Sequence, residues 1–393
     1  MSGKPALLGG APLAATPIRL VRPVLPTFDA LRDEVAATLS SGMVTKGVQL
    51  VAFERAVADH LGVEHVVAVS SCTTGLALIY RALGFNGPVL VPSFTFMATV
   101  SALIWAGATP RFVDIDPATT NLDPAAVRAA LSPDLAGIVA VHNFGNPAAV
   151  RELEAIAAEA GIPLVFDAAH GFGARYGQQP VGRFGRAESF SLSPTKLLIA
   201  GEGGIVATND AELARRIRVG REYGNDGQYG TEFAGINARM PEYNAILGRH
   251  SLSLLETAAE NRSRYASMYR QQLGELPGVG FQIVRPADRC SFKDFSITIE
   301  AAEFGLSRNL LAQALAAEGI DSRAYYDPPV HQHAAYARYA PPAESLPQTN
   351  WLAASSLSLP IHSQMEEATI DTVCGAIRRI HQHAPMVRSL SAH

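Results

Sequence analysis

Short apolar runs alternate with stretches of helical periodicity from about residue 50 to residue 210, and this alternation predicts a mostly parallel sheet flanked by helices. Strands are predicted at residues 66–69, 89–91, 111–113, 138–141, 164–166, 189–192 and 205–207, enough for one seven-stranded sheet. Phe53, Val57 and Leu61 recur at every fourth position and predict a helix over 51–61. Val150, Leu153, Ile156 and Ala160 form a second apolar stripe between the fourth and fifth strands. Beyond these the pattern changes. One long helix is predicted to start at Pro241, whose ring suits a first turn, and to run past Leu255 toward Leu273. A smaller α+β region follows, with a strand where Phe295, Ile297 and Ile299 alternate and helices marked by Leu310, Leu311, Ala314 and Leu315 and by Ile370, Val373 and Ile377. The expected division is a large domain with an N-terminal arm over residues 1–245 and a small C-terminal domain over 246–393. The tail after Pro385 is expected to fray.

Composition narrows the classes. The chain has 393 residues, 48% hydrophobic and 17% charged, as a compact globular protein should. Its net charge of −4 and the lack of a long basic run argue against nucleic acid as a partner. Nothing approaches the length of a membrane span, and the first ten residues lack the apolar stretch of a signal peptide. Cys72, Cys290 and Cys374 have no metal-ligand spacing and cannot all pair within one chain, so a reducing, cytoplasmic setting is expected. His331 and His333, like His381 and His383, have a spacing that can hold a metal. No carboxylate or cysteine cluster accompanies them, and no metal is expected.

The candidate chemistry sits at the strand ends. Asp167 closes the apolar run Leu164-Val-Phe-Asp167, and Lys196 follows in Ser189-Phe-Ser-Leu-Ser-Pro-Thr-Lys196. A lysine amine can hold an aldehyde cofactor as a Schiff base. A buried carboxylate can keep a pyridine nitrogen protonated, so the pair fits pyridoxal 5'-phosphate. After the first strand, Ser70-Ser-Cys-Thr-Thr-Gly75 opens a helical run, and its unpaired amides would attract a phosphate, although the same residues serve as an ordinary helix cap. Phe96 lies just beyond the second strand, where it either stacks on a ligand ring or joins the core.

These stretches, with F-V-D-I-D-P (112–117), V-H-N-F-G-N-P (141–147), F-D-A-A-H-G-F-G (166–173), G-E-G-G (201–204), G-I-N-A-R-M-P-E-Y-N-A (235–245), R-A-Y-Y-D-P-P-V-H (323–331) and L-P-I-H (359–362), resemble the DegT/DnrJ/StrS-type nucleotide-sugar aminotransferases of the aspartate-aminotransferase fold. The resemblance runs in order from about residue 20 to residue 380. It implies that Lys196 is the Schiff-base lysine and also shuttles the proton, that Asp167 pairs with the pyridine nitrogen, and that His170 stands beside the cofactor's phenolic oxygen. It gives Phe96 the stacking place, lets Thr73, Thr74 and Ser191 hold the phosphate, and has Asn237 reach the phosphate of a neighbouring subunit in a homodimer with shared active sites. Arg239, Tyr325 and His331 are candidate sugar contacts, and Glu202, following the lysine closely in a glycine-rich strand connection, either supports that tight turn or lines the site. Cys72 stands where relatives commonly have glycine, and Ser193 where they often present a histidine. Lys196 itself argues against the dehydratase branch, which carries histidine there.

The family likeness further implies an L-glutamate donor and a keto-sugar nucleotide acceptor. N-L-D-P, V-H-x-x-G-x-P and F-D-A-A-H resemble the 4-aminotransferases of deoxysugar biosynthesis, which implies dTDP-4-dehydro-6-deoxy-D-glucose going to dTDP-4-amino-4,6-dideoxy-D-glucose. A 3-aminotransferase of a 3-keto sugar nucleotide or a cyclitol-ketone aminotransferase would need the same cofactor set. A cofactor-binding regulator without turnover would not need both Lys196 and Asp167.

Overall fold

The computed structural model describes residues 3–225 and 227–390. In chain order the strands of the first half are β1 (His65–Val69), β2 (Pro88–Pro92), β3 (Thr109–Val113), β4 (Gly137–Val141), β5 (Leu164–Asp167), a short hairpin of β6 (Arg175–Tyr176) and β7 (Gln179–Pro180), then β8 (Ala187–Ser191) and β9 (Gly204–Thr208). All but the hairpin form one seven-stranded sheet in the order β1-β9-β8-β5-β4-β2-β3. The pairs β2–β3, β2–β4, β4–β5 and β5–β8 are parallel, and β9 runs antiparallel to both its neighbours. Each of the seven predicted runs falls within or across one of these strands.

Both faces of the sheet are covered, so its strands read as continuous apolar runs rather than alternating ones. On β2, Val89 and Val91 join a core built on the helix Cys72–Ala82, while Leu90 turns to a core built on the helix Val150–Ala160. A second sheet of β10 (Val279–Phe281), β11 (Phe295–Ile299) and β12 (Ser356–Leu359) is antiparallel throughout. Its apolar face shares a separate core with the helices Leu255–Leu273, Arg308–Ala317 and Glu367–Gln382.

Two expectations need correction. The helix predicted from Pro241 to Leu273 is two helices, Glu242–Leu252 and Leu255–Leu273, with Pro241 as the cap before the first and a break at Ser253 and Leu254. The tail does not fray at Pro385 among the described residues: Ala384–Leu390 is helical, and fully buried Val387 pins it to the C-terminal core, while 391–393 lie outside the described residues.

Glu242 ties distant parts of the chain together. The helix Val48–Leu61 starts at Gly47, which has no side chain to cap it. The buried Glu242 carboxylate takes over, accepting from the amides of Gly47 at 3.0 Å, Gln49 at 2.8 Å and Leu50 at 3.2 Å. A Cβ at position 47 would stand 2.7 Å from Glu242 Oε2, so glycine is required for this approach. Glu242→Ala strands three helix-start amides and should cost about 3 kcal/mol, the scale of hydrogen bonds to a buried charged group. A lowered midpoint in urea unfolding is the expected result.

Candidate active site

A cavity of about 320 Å³ opens at the carboxyl ends of the sheet strands, where open α/β sheets place their ligands. Its walls include Thr73 from the helix after β1, Phe96 from the segment after β2, Asp167 at the end of β5, His170 just beyond it, Ser191 at the end of β8, and Lys196 and Glu202 from the connection to β9. Tyr325 also lines it, from the C-terminal region, so one site gathers eight of the candidate site residues singled out in the sequence.

Asp167 ends the central strand of the sheet and is 4% exposed. Its Oδ2 accepts from the Thr99 hydroxyl at 2.7 Å and its Oδ1 from the Ala169 amide at 3.0 Å. No ion pair to it forms among the described residues. Burial accordingly raises its pKa, against the opposing pull of the Thr99 bond, the Ala169 amide, and the Lys196 and His142 charges. The carboxylate is short of a cationic donor.

Lys196 lies in the turn after β8, its amide donating to the Ser193 carbonyl at 3.0 Å. Desolvation, and next the charge of Lys293, push its amine down to about 8, although Asp294, Cys72 and Asp167 pull the other way. Near neutrality a usable fraction of it is free amine. His170 Nδ1 is buried with no partner among the described residues, and burial, with Lys196 and Lys293 nearby, holds the ring well below its usual pKa.

At the other wall Ser71 caps the helix Cys72–Ala82. Its hydroxyl accepts from the Thr74 amide at 3.1 Å, and the Thr74 hydroxyl accepts from the Ser71 amide at 3.1 Å. The cap leaves the amides of Cys72 and Thr73 without partners among the described residues, at the positive end of the helix. Start of β9 and loop are in close contact: a Cβ on Gly204 would fall 2.4 Å from the Ser71 carbonyl carbon. Cys72 points inward, its sulfur 3.4 Å from the Ser189 carbonyl, and burial followed by the Asp167 charge keeps its thiol well above the usual pKa and unreactive.

Phe96 is 51% exposed, whereas Phe94 two residues earlier is 1% exposed and packs edge-on to Phe144 and Tyr326. The core function at this strand end belongs to Phe94, and Phe96 is left to face the cavity.

Other singled-out residues lie elsewhere. The Thr74 hydroxyl is absorbed by the capping box. Asn237 is exposed, in a backbone bridge to Glu222, and is not part of this cavity's lining. Arg239 donates to Glu222 at 3.1 Å and lies over the Tyr223 ring, in a separate groove shared with Lys46. His331 is buried, bonded through Nδ1 to the Ser93 hydroxyl at 2.7 Å, and pins its loop to the end of β2. His333, His381 and His383 bond the carbonyls of Pro328, Phe304 and Arg379, and no three metal-ligating side chains gather among the described residues.

Four site residues were not singled out from the sequence. Thr99 donates to Asp167, while Lys293, Asp294 and Tyr326 line the cavity from the C-terminal half. Lys293 and Asp294 had one visible signal: two charges directly ahead of the alternating run of β11.

A depressed lysine amine, a buried carboxylate lacking a cation, an unpartnered imidazole nitrogen, two open helix-start amides and an exposed ring share one cavity. This donor set fits pyridoxal 5'-phosphate: an aldehyde for the lysine, a ring nitrogen for the carboxylate, a phosphate for the amides. The class that fold and site define is a pyridoxal-phosphate-dependent transaminase. The chain belongs to the DegT/DnrJ/EryC1/StrS aminotransferase family, whose pattern it matches over residues 29–378. It is 36% identical over 359 residues to the dTDP-3-amino-3,4,6-trideoxy-alpha-D-glucose transaminase of Streptomyces venezuelae, covering 89% of this chain and 93% of that one. It is also 36% identical over 363 residues to a UDP-N-acetyl-3-dehydro-alpha-D-glucosamine 3-aminotransferase of Acidithiobacillus ferrooxidans, covering 90% and 95%. Among solved structures it is similar to DesI, crystallised in the presence of its TDP-sugar product, with a TM-score of 0.90, 37% identity and 98% of each chain covered. No helix among the described residues is long and apolar enough to cross a membrane.

The raised pKa of Asp167 has a stability consequence. An acid whose folded pKa lies above its unfolded one favours the fold most when protonated, and loses that contribution as pH rises through the folded value. Asp167→Asn removes the buried charge. Without cofactor, this variant should melt a few degrees above the wild type at neutral pH, and the gap should close on acidification. Cofactor affinity should fall in the same variant. Calorimetry across pH checks the first outcome, and fluorescence titration with pyridoxal phosphate the second.

Proposed function

We propose that the chain transfers the amino group of L-glutamate to a keto-sugar nucleotide, dTDP-4-dehydro-6-deoxy-D-glucose, giving dTDP-4-amino-4,6-dideoxy-D-glucose. The observation that carries the chemistry is the buried, cation-free carboxylate of Asp167 in the cavity of Lys196. The likeness to a structure holding a TDP-sugar product supports the nucleotide. The sequence motifs shared with 4-aminotransferases support the ring position. A second reading, amination at the sugar's 3-position, is favoured by the names of the two curated relatives.

Bound in this cavity, pyridoxal phosphate supplies an aldehyde that takes up the amino group and a ring that accepts electrons from the substrate carbon. Lys196 is the residue that would hold the aldehyde, and its Nζ, when free, would hold and return the proton at the substrate carbon, a task that its depressed pKa suits. Asp167 holds the ring nitrogen's proton, and Thr99 orients the carboxylate that does so. His170 would face the ring oxygen and Phe96 would cover the ring face, since both line the cavity. Thr73, Ser191 and the amides at the start of the helix Cys72–Ala82 hold the phosphate, with Thr74 shaping that turn through its cap. Glu202 and Tyr325 face the sugar.

Exposed Asn237, outside its own chain's cavity, is read as reaching the phosphate in a homodimer's neighbouring site, with Arg239 beside it contacting substrate there. His331 is read as a loop anchor and not a sugar contact. The division near residue 245, into a large cofactor-binding domain and a small one, is supported by the two separate sheets. Cytoplasmic residence is supported by three buried, unpaired cysteines.

The test pairs a substrate panel with one variant. The yellow holoprotein should bleach with L-glutamate and regain colour with a 4-keto dTDP-sugar, with NMR of the product placing nitrogen at C4. Nitrogen at C3 would support the second reading, and no bleaching with any amino donor would count against transamination. Lys196→Ala should lose both half-reactions, by at least about a thousandfold.

A further inference from the structure

Lys293 and Asp294 have no role so far, yet both line the cavity of Lys196, and they are only 5% and 3% exposed. Lys293 Nζ donates to both carboxylate oxygens of Asp294 at 3.0 Å and stands 5.7 Å from the centre of the Tyr325 ring. Its backbone is held at both ends: the amide donates to the Phe144 carbonyl at 3.0 Å, and the carbonyl accepts from Arg262 at 2.9 Å. Arg262 is itself buried and also donates to the Phe292 carbonyl and, at 3.0 Å, to the Ser363 hydroxyl. Burying such a pair carries a desolvation cost that packing alone does not require.

The titratable groups around the Lys196 amine come from several elements. Cys72 faces it from the helix after β1, Asp167 from the end of β5, and Lys293 with Asp294 from the segment before β11. His170, held neutral by burial, Glu202 from the turn before β9, and Tyr325 and Tyr326 complete the wall. Among the described residues Lys293 is therefore the one cation of this wall apart from Lys196. Two positive charges in a poorly solvated pocket repel, and the one lacking a close counterion gives up its proton first. Asp294 makes that one Lys196.

We propose that Lys293 is a positioning residue that keeps the released Lys196 amine unprotonated, with Asp294 pairing Lys293 and Arg262 fixing the pair against the cavity. This rests on Lys196 being the amine that bonds the cofactor. Competitive acetylation of the full-length, cofactor-free protein across neutral and alkaline pH, read by peptide mass spectrometry against exposed Lys4, follows Lys196 directly. In Lys293→Met the labelling midpoint of Lys196 should rise by about one pH unit. Lys293→Arg keeps the charge and should stay with the wild type, and the double variant Lys293→Met/Asp294→Asn should fall between the two. In the holoprotein the pH midpoint of the visible band should shift in the same direction. Lys293→Gln, which still donates to Asp294, serves if the methionine variant does not fold by circular dichroism. A Lys196 midpoint in Lys293→Met equal to the wild type's, or a Lys293→Arg midpoint displaced as far as that of Lys293→Met, would overturn the proposal. Labelling needs no turnover, so failure here leaves the glutamate and keto-sugar assay standing, and failure of that assay leaves the labelling curve standing.

Discussion

A carboxylate buried at the end of the central strand without a cation organises this molecule. Asp167 receives one hydroxyl bond, one amide bond and a weak bond from the Cys72 thiol at 3.8 Å, which are too few to replace the water it has lost. The fold holds it there because β5 pairs with β4 on one side and β8 on the other, and the strand cannot shift without breaking both ladders. An unpaired buried charge of this kind persists when something outside the chain completes it. The rest of the cavity is consistent with that need: open amides in one wall, a lysine amine pushed toward its neutral form in another, and an aromatic ring left out of the core.

The C-terminal half of the chain closes the site. Ser291 donates its hydroxyl to the His170 carbonyl at 2.7 Å, and the Lys293 amide bonds the Phe144 carbonyl, so the segment ahead of β11 is stitched to the ends of β4 and β5. Tyr326 stacks on Phe144 and meets Phe94 edge-on, which locks the 323–326 segment to the end of β2. Asp294 and Tyr325 are thereby presented to Lys196 from the far half of the chain. These contacts make the surroundings of the Lys196 amine depend on both halves of the protein.

Much of this was legible in the sequence, for identifiable reasons. Strands buried on both faces leave uninterrupted apolar runs, which is why all seven were visible. The start of β8 was read late because Glu188 lies inside it, fully buried, where its carboxylate accepts from the Gly182 and Phe184 amides and meets His142. The helix Ala98–Ala106 gave no amphipathic stripe, since Val100, Ala102 and Leu103 are buried while Trp105 is 77% exposed. Asp167 and Lys196 were readable because each sits at a strand end in a local motif. Lys293 and Asp294 were not, since their meeting with Lys196 is set by tertiary packing alone. For the same reason residue type left open whether the Thr74 hydroxyl serves the helix cap or a phosphate, and could not show that His331 is a loop anchor.

The central claim is that Asp167 completes its coordination with a proton on the cofactor's ring. Nitrogen NMR of the full-length protein reconstituted with pyridoxal phosphate labelled with 15N in the ring tests it most directly. The account predicts the chemical shift of a protonated pyridine nitrogen, retained well above the pH at which the free cofactor loses that proton. The shift of an unprotonated nitrogen at neutral pH would contradict it.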